Sequence, residues 1–163
     1  MSWPVLPRLN RRTALQAAAL WGVAADARAA EASLPLSASL RTELAQALAA
    51  RQPLVVMVSL HGCPWCRLVR GNYLAPMRTE QGLAVVQVDM RSSRATQTVD
   101  GVPTTHDALV RGWGIKLAPT LLFLGPGGRE VAERLPGGSP DFYSGYLDER
   151  LVQARRALGG SAG

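Results

Sequence analysis

Leu54-Val55-Val56-Met57-Val58-Ser59-Leu60-His61-Gly62-Cys63-Pro64-Trp65-Cys66 is the stretch that decides how this chain folds. Leu54 to Leu60 is an almost unbroken apolar run with three valines, the pattern of a strand buried on both faces. His61-Gly62 ends it. Cys63 follows, with Pro64 in the first helical turn, where a missing amide is tolerated. Residues three apart on a helix have Cβ atoms about 5 to 6 Å apart, so Cys63 and Cys66 can close a disulfide with modest rearrangement. A helix start points unpaired amides and a positive dipole end at the first sulfur, which favours its thiolate. Cys63 is thereby the attacking sulfur, and Cys66, one turn inward and more shielded, resolves the mixed disulfide.

Upstream of this stretch, Ser39 caps a predicted helix whose Leu40, Leu44, Ala47 and Leu48 share one face, and Pro53 closes it. Downstream, Cys63 to about Glu80 is helical in pattern, with Gly71 and Pro76 as points of kinking or ending. Leu83 to Asp89 reads as the next strand. Arg91 to Pro103 is polar and lacks a hydrophobic period, so a surface excursion is expected there. Thr104 or Thr105 caps a short helix through Trp113. Thr120 to Leu124 and Arg129 to Leu135 form a hairpin about Gly125-Pro126-Gly127-Gly128, and a last helix runs from about Pro140 to Leu158. The order α-β-α-β-α-β-β-α predicts an α/β domain over residues 39–158, with a tail over 159–163. The cysteine pair lies at the first strand-to-helix junction, where the carboxyl end of a strand in an open sheet opens a crevice.

The chain has 163 residues, 47% apolar and 18% charged, enough for one sizeable core. Its only two cysteines are this pair, which excludes a disulfide-stapled scaffold. The net charge of +6 divides evenly. Residues 1–29 carry Arg8, Arg11, Arg12 and Arg28 against Asp26. The remaining 14 basic and 11 acidic residues are scattered without a basic tract, which argues against a nucleic-acid partner.

Residues 1–29 have the three parts of an export signal: a short basic start, the small apolar stretch Ala14 to Ala25, and small-x-small sites in Ala25-Asp26-Ala27-Arg28-Ala29. The stretch is shorter than the roughly 20 residues a membrane span needs, so cleavage and no stable span are expected. Asn10-Arg11-Arg12-Thr13-Ala14-Leu15-Gln16 resembles the twin-arginine motif, although Ala14 and Gln16 depart from it, and a general secretory signal is the other reading. An amphipathic first helix of the domain fits less well, because the apolar positions keep no helical stripe. Either route leads to the periplasm. Residues 30–38, with Ser33-Leu34-Pro35-Leu36-Ser37, read as a linker.

The cysteine pair after a buried strand, followed by Trp113-Gly114-Ile115-Lys116-Leu117-Ala118-Pro119-Thr120-Leu121-Leu122-Phe123, resembles the two-part signature of the thioredoxin superfamily. The likeness covers roughly Ser39 to Leu158. It implies a thioredoxin-like fold, a central mixed sheet of about four strands flanked by helices. It also implies a cis Pro119 beside the active pair, with the backbone of Ala118 pairing with a bound substrate strand. The chain departs from the family in several places. His61-Gly62 replaces the tryptophan that often precedes the first cysteine, and Pro64-Trp65 is closer to the Pro-Tyr of glutaredoxins. Met57 stands where several relatives carry a buried carboxylate that relays a proton from the resolving thiol. The long Arg91 to Pro103 segment, together with Gly62-Cys63-Pro64-Trp65-Cys66, resembles periplasmic thioredoxins associated with sulfur oxidation.

His61, when protonated, would support the Cys63 thiolate; a solvent-facing loop residue is the equal alternative. Trp65 is expected to lie exposed and touch substrate, and Trp113 to pack in the core. Arg67 and Arg70 read as a solvated helix face, with attraction of acidic partners the less favoured reading. His106-Asp107 is no dyad, because adjacent helical side chains point apart. The glycine-rich turns lack the following Lys-Ser/Thr of a phosphate loop.

The function expected is a monomeric periplasmic thiol:disulfide oxidoreductase acting on protein thiols and disulfides, working with a membrane-bound or periplasmic redox partner. The sulfurs carry the electrons, so no cofactor is required. The reducing direction is preferred over a DsbA-like oxidant. An isomerase is disfavoured for want of a dimerisation domain. The rival from another class is a periplasmic metal-binding or copper-delivery protein using Cys63, Cys66 and His61; a redox-silent binding module is the third.

Overall fold

A computed structural model describes residues 33–137 and 141–159. The export segment 1–29, the start of the linker and residues 160–163 lie outside the described residues, as does Pro140 at the expected start of the last helix.

Helix α1 (Leu40–Ala49) starts where Ser39 caps it, the serine side chain accepting from the Thr42 amide, and buries Leu40, Leu44 and Ala47. Strand β1 (Leu54–Ser59) is buried at every position. The reason is that it is central in a four-stranded sheet of order β2-β1-β5-β6, where β2 is Val85–Asp89, β5 Thr120–Leu124 and β6 Glu130–Pro136. β1 pairs parallel with β2 and antiparallel with β5, and β6 is antiparallel to β5. Alternate side chains then serve two cores. Val55, Met57, Leu121 and Phe123 face one side, and Val56, Val58, Leu122 and Leu124 the other. Both faces being covered, the strand has no polar side to show, which is why it reads as a run rather than an alternation.

The long helix after Cys63 is three pieces: α2 (Pro64–Val69), a π-helical turn over Arg70–Leu74, and α3 (Ala75–Gln81). Pro76 has no amide and its ring would crowd the carbonyl four residues back, so the wider turn before it lets the helix continue past both Gly71 and Pro76. Gly82 ends it in the left-handed region at φ 66°. Helix α5 (Tyr143–Gly159) packs Tyr143, Leu147, Leu151 and Ala154 against the same sheet face as α2.

Two expectations gain structure. The surface excursion from Arg91 to Pro103 carries a hairpin, in which β3 (Ala95–Gln97) pairs antiparallel with β4 (Pro103–Thr105). Polar groups hold this hairpin. Ser39 Oγ donates to Gln97 Oε1 at 2.8 Å, Ser37 Oγ and the buried Thr96 hydroxyl lie 3.3 Å apart, and Arg41 bonds the Asp100 carbonyl. Such bonds leave no hydrophobic period to read. Nor do the described residues of the expected linker hang free. Gln87 N–H donates to the Pro35 carbonyl at 2.8 Å and Ser37 N–H to the Gln87 carbonyl at 2.9 Å, with Leu34 buried. These bonds cover the outer edge of β2, which would otherwise offer unpaired backbone groups.

Helix α4 (His106–Gly112) is capped by Thr105. His106 is fully buried at its start. Its Nδ1 accepts the Asp89 amide at 3.0 Å, and its Nε2 donates to the Ser37 carbonyl at 2.8 Å. That is a structural bracket tying residue 37 to the end of β2. Trp113 is half-buried against the α1 side of the sheet, and its carbonyl accepts from Arg134 at 2.7 Å.

Candidate active site

The chain leaves β1, turns at Gly62 with φ 76°, and enters α2 with Cys63 as its cap. The positive φ there suits a residue without a Cβ. Cys63 Sγ accepts the Cys66 amide at 3.2 Å and lies 3.8 Å from the Ala118 carbonyl oxygen. Both cysteines are free thiols; Cys63 is partly exposed and Cys66 buried.

The Ala118-Pro119 peptide is cis, and it precedes β5, which runs beside β1. Pro119 is buried and Ala118 half-buried; the Pro119 carbonyl accepts the Gly137 amide. Trp65 is 47% exposed and Leu117 56%, so apolar surface borders the sulfur on this side. His61 is exposed in the turn. Among the described residues no three His, Cys, Asp or Glu side chains gather to hold a metal ion, so His61 and the two sulfurs are not assembled into the rival's site.

The Cys66 thiol sits in the core with Met57 and Tyr143. Burial, then the neighbouring Cys63 sulfur, push its pKa from 9.0 up to about 11, against a smaller opposite pull from the Leu60 backbone and the Ser59 side chain. A buried thiol loses the hydration that would stabilise its ionised form. Tyr143 is 1% exposed, its ring tilted against Tyr73 with centroids 5.3 Å apart, and its hydroxyl has no hydrogen-bond partner among the described residues. Its pKa is raised by burial first, then by Tyr73 and Cys66. Sequence reasoning missed Ser59 and Tyr143, because nothing local says that a strand residue or one 77 positions on would meet this thiol.

On the other side of β1 from Pro119 is a cleft of about 620 Å³, bounded by the Cys63 turn, α2 and the end of β2. Arg67, Arg70 and Arg91 line it.

A redox-spaced thiol pair at a strand-to-helix junction, facing a cis-proline ahead of the neighbouring strand, defines a class of α/β disulfide-exchange folds. The family model for a thioredoxin-like domain matches residues 40–147, and the chain belongs to that family. Among solved structures, the DsbH oxidoreductase superposes with a TM-score of 0.50 at 16% identity, over 79% of this chain and 88% of its own. Thioredoxin O2 of Arabidopsis thaliana gives 0.47 at 16%, over 70% and 93%. The periplasmic thioredoxin SoxS of Paracoccus pantotrophus gives 0.41 at 20%, over 63% and 99%. These likenesses are of fold. No curated protein matches the sequence. The chain thus has the thioredoxin-like fold that the resemblance implied, a mixed four-stranded sheet flanked by helices. No helix among the described residues is long and apolar enough to cross a membrane.

Proposed function

We propose that this protein is an exported, periplasmic thiol:disulfide oxidoreductase working as a reductant of protein disulfides. The observation that carries the reading is the Cys66 amide held 3.2 Å from Cys63 Sγ at the tip of α2, with the Cys66 thiol buried one turn behind. The Cys63 thiolate attacks a substrate disulfide, forming a mixed disulfide and releasing one substrate thiolate. Cys66 then loses its proton and attacks Cys63, closing the Cys63–Cys66 disulfide and releasing the second thiol. Ala118 and Pro119 border the incoming chain, and Trp65 supplies apolar contact. His61 is a solvent-facing neighbour of this chemistry.

The basic, small-residue segment at 1–29 supports export, by the twin-arginine route on its Arg11-Arg12 pair. Insulin reduction with dithiothreitol tests the activity: wild type accelerates precipitation and Cys63→Ser does not. Equal rates for the two proteins would end the proposal. A potential for the Cys63–Cys66 pair well below that of glutathione supports the reducing direction, and one well above it reverses the direction.

A further inference from the structure

The cleft beside Cys63 is separate from the apolar border at Trp65, Leu117 and Pro119. β1 and β2 are parallel, so both carboxyl ends open at the same place, and the cleft occupies the gap beyond them. Cys63 therefore has two approaches: one along Ala118 on the β5 side, one through this cleft on the β2 side.

Its chemistry is cationic. The ionisable lining side chains besides His61 and Cys63 are Arg67, Arg70, Arg91 and one acid, Asp89. That acid is already engaged. Asp89 Oδ1 accepts from Gln87 Nε2 at 2.7 Å, and Gln87 Oε1 accepts from Arg70 Nη1 at 2.9 Å, so a buried glutamine holds Arg70 in place along the floor. Arg67 and Arg91 are exposed and enter no ion pair among the described residues. Arg91 also has φ 57°, a left-handed conformation that glycine would hold without steric cost. An arginine stands there instead, among the residues that line the cleft. Concave surfaces of one charge concentrate oppositely charged ligands and raise their on-rates by roughly 10 to 1,000-fold. The volume falls within the range of about 300 to 1,000 Å³ common to small-ligand clefts.

We infer that the cleft receives a small disulfide bearing carboxylates, its anionic groups held by Arg67 and Arg91 while one of its sulfurs meets Cys63. The inference rests on the exchange activity proposed above and names a substrate class for it. Attack by the Cys63 thiolate breaks the ligand's S–S bond and forms one mixed disulfide, and a carboxylate-bearing thiolate leaves through the cleft. Cys66 loses its proton to solvent and displaces the second thiolate. The protein dithiol is oxidised by two electrons, the ligand is reduced by two, and both released thiolates take protons from water.

The test compares 3,3′-dithiodipropionate, a dianion, with cystamine, a dication of similar length, as oxidants of the reduced full chain followed by tryptophan fluorescence. A bare thiolate prefers the cation. The protein is expected to prefer the dianion by roughly tenfold at low salt, with the preference shrinking as salt rises. Arg67→Gln and Arg91→Gly each cut the ratio of the two rates by at least about threefold. The glycine variant relaxes the backbone at position 91, so misfolding cannot mimic its effect. Cystamine reacting as fast or faster in wild type, with the variants matching it, overturns the inference while leaving exchange intact. An advantage confined to an acid-flanked peptide disulfide overturns the small-ligand assignment. Failure with every disulfide removes the underlying activity as well.

Discussion

Met57 lies in the core that surrounds Cys66, and among the described residues no Asp or Glu is buried to take the thiol's proton. With its pKa at about 11, Cys66 is protonated at neutral pH, and the rate of the proposed resolving step follows its small thiolate fraction. Resolution of a preformed Cys63 mixed disulfide is therefore expected to speed up by about tenfold per pH unit from about 7 to 9. Met57→Asp flattens that profile and raises the rate at neutral pH. It also costs roughly 2 to 4 kcal/mol of stability for the buried carboxyl, read by urea denaturation. A wild-type profile already flat across this range would show that another group takes the proton. Tyr143 is the opposite case, since its buried hydroxyl finds no partner among the described residues and leaving such a group unsatisfied costs about 1 to 3 kcal/mol. Tyr143→Phe should therefore raise the melting temperature; a lower one would mean that the hydroxyl has a partner in solution. Met57 was legible at the site through the family resemblance alone, and Tyr143 not at all, because each meets Cys66 only through packing.

Helix starts and strand ends were the legible elements. Ser39 and Thr105 cap where expected, since a hydroxyl reaching an amide three residues on is a local event. What no local signal shows is the second duty of α1's first turn. The Glu43 carboxylate accepts from Ser37 Oγ at 2.6 Å, Ala38 N–H at 2.8 Å and Ser39 N–H at 3.2 Å, fastening the segment that covers β2. Glu43→Ala is expected to cost about 1 to 2 kcal/mol in urea unfolding and to speed amide exchange at Ser37 and Gln87. Unchanged stability and exchange would mean that the edge is held by His106 and the backbone alone. The π turn at Arg70–Leu74 belongs to this scale too. Gly71 and Pro76 announce a disturbance of the helix, but whether it ends or widens depends on the core waiting for Leu74 and Ala75.

At the scale of the whole molecule, the dithiol and disulfide forms should differ in how stability responds to alkali. An unfolded Cys66 ionises from pH 9.0, whereas the folded one keeps its proton until about 11. Between those values the unfolded chain binds fewer protons, so stability of the reduced protein falls as pH rises through the window, and its contribution is intact below it. The oxidised protein has no such thiol and should lose less, a difference that paired thermal melts at pH 8 and 10 would measure. Equal losses would mean Cys66 titrates alike in both states. The domain's architecture was readable because it rests on properties each segment carries alone: β1 is apolar throughout, helical stripes repeat, and glycine and proline mark the turns. The position of the reactive pair was readable for the same reason, since a cysteine beside its own helix start needs no distant partner. Tertiary structure alone decided what surrounds that pair. Gln87 comes from within β2 and Arg91 from just past its end, 24 or more residues on, Ala118 from 55 residues on, and the polar hairpin is pinned by groups nearly 60 residues away. Contacts at such separations are selected by how sheets and helices pack, and the single polar side chains that make them leave no periodic trace in the chain.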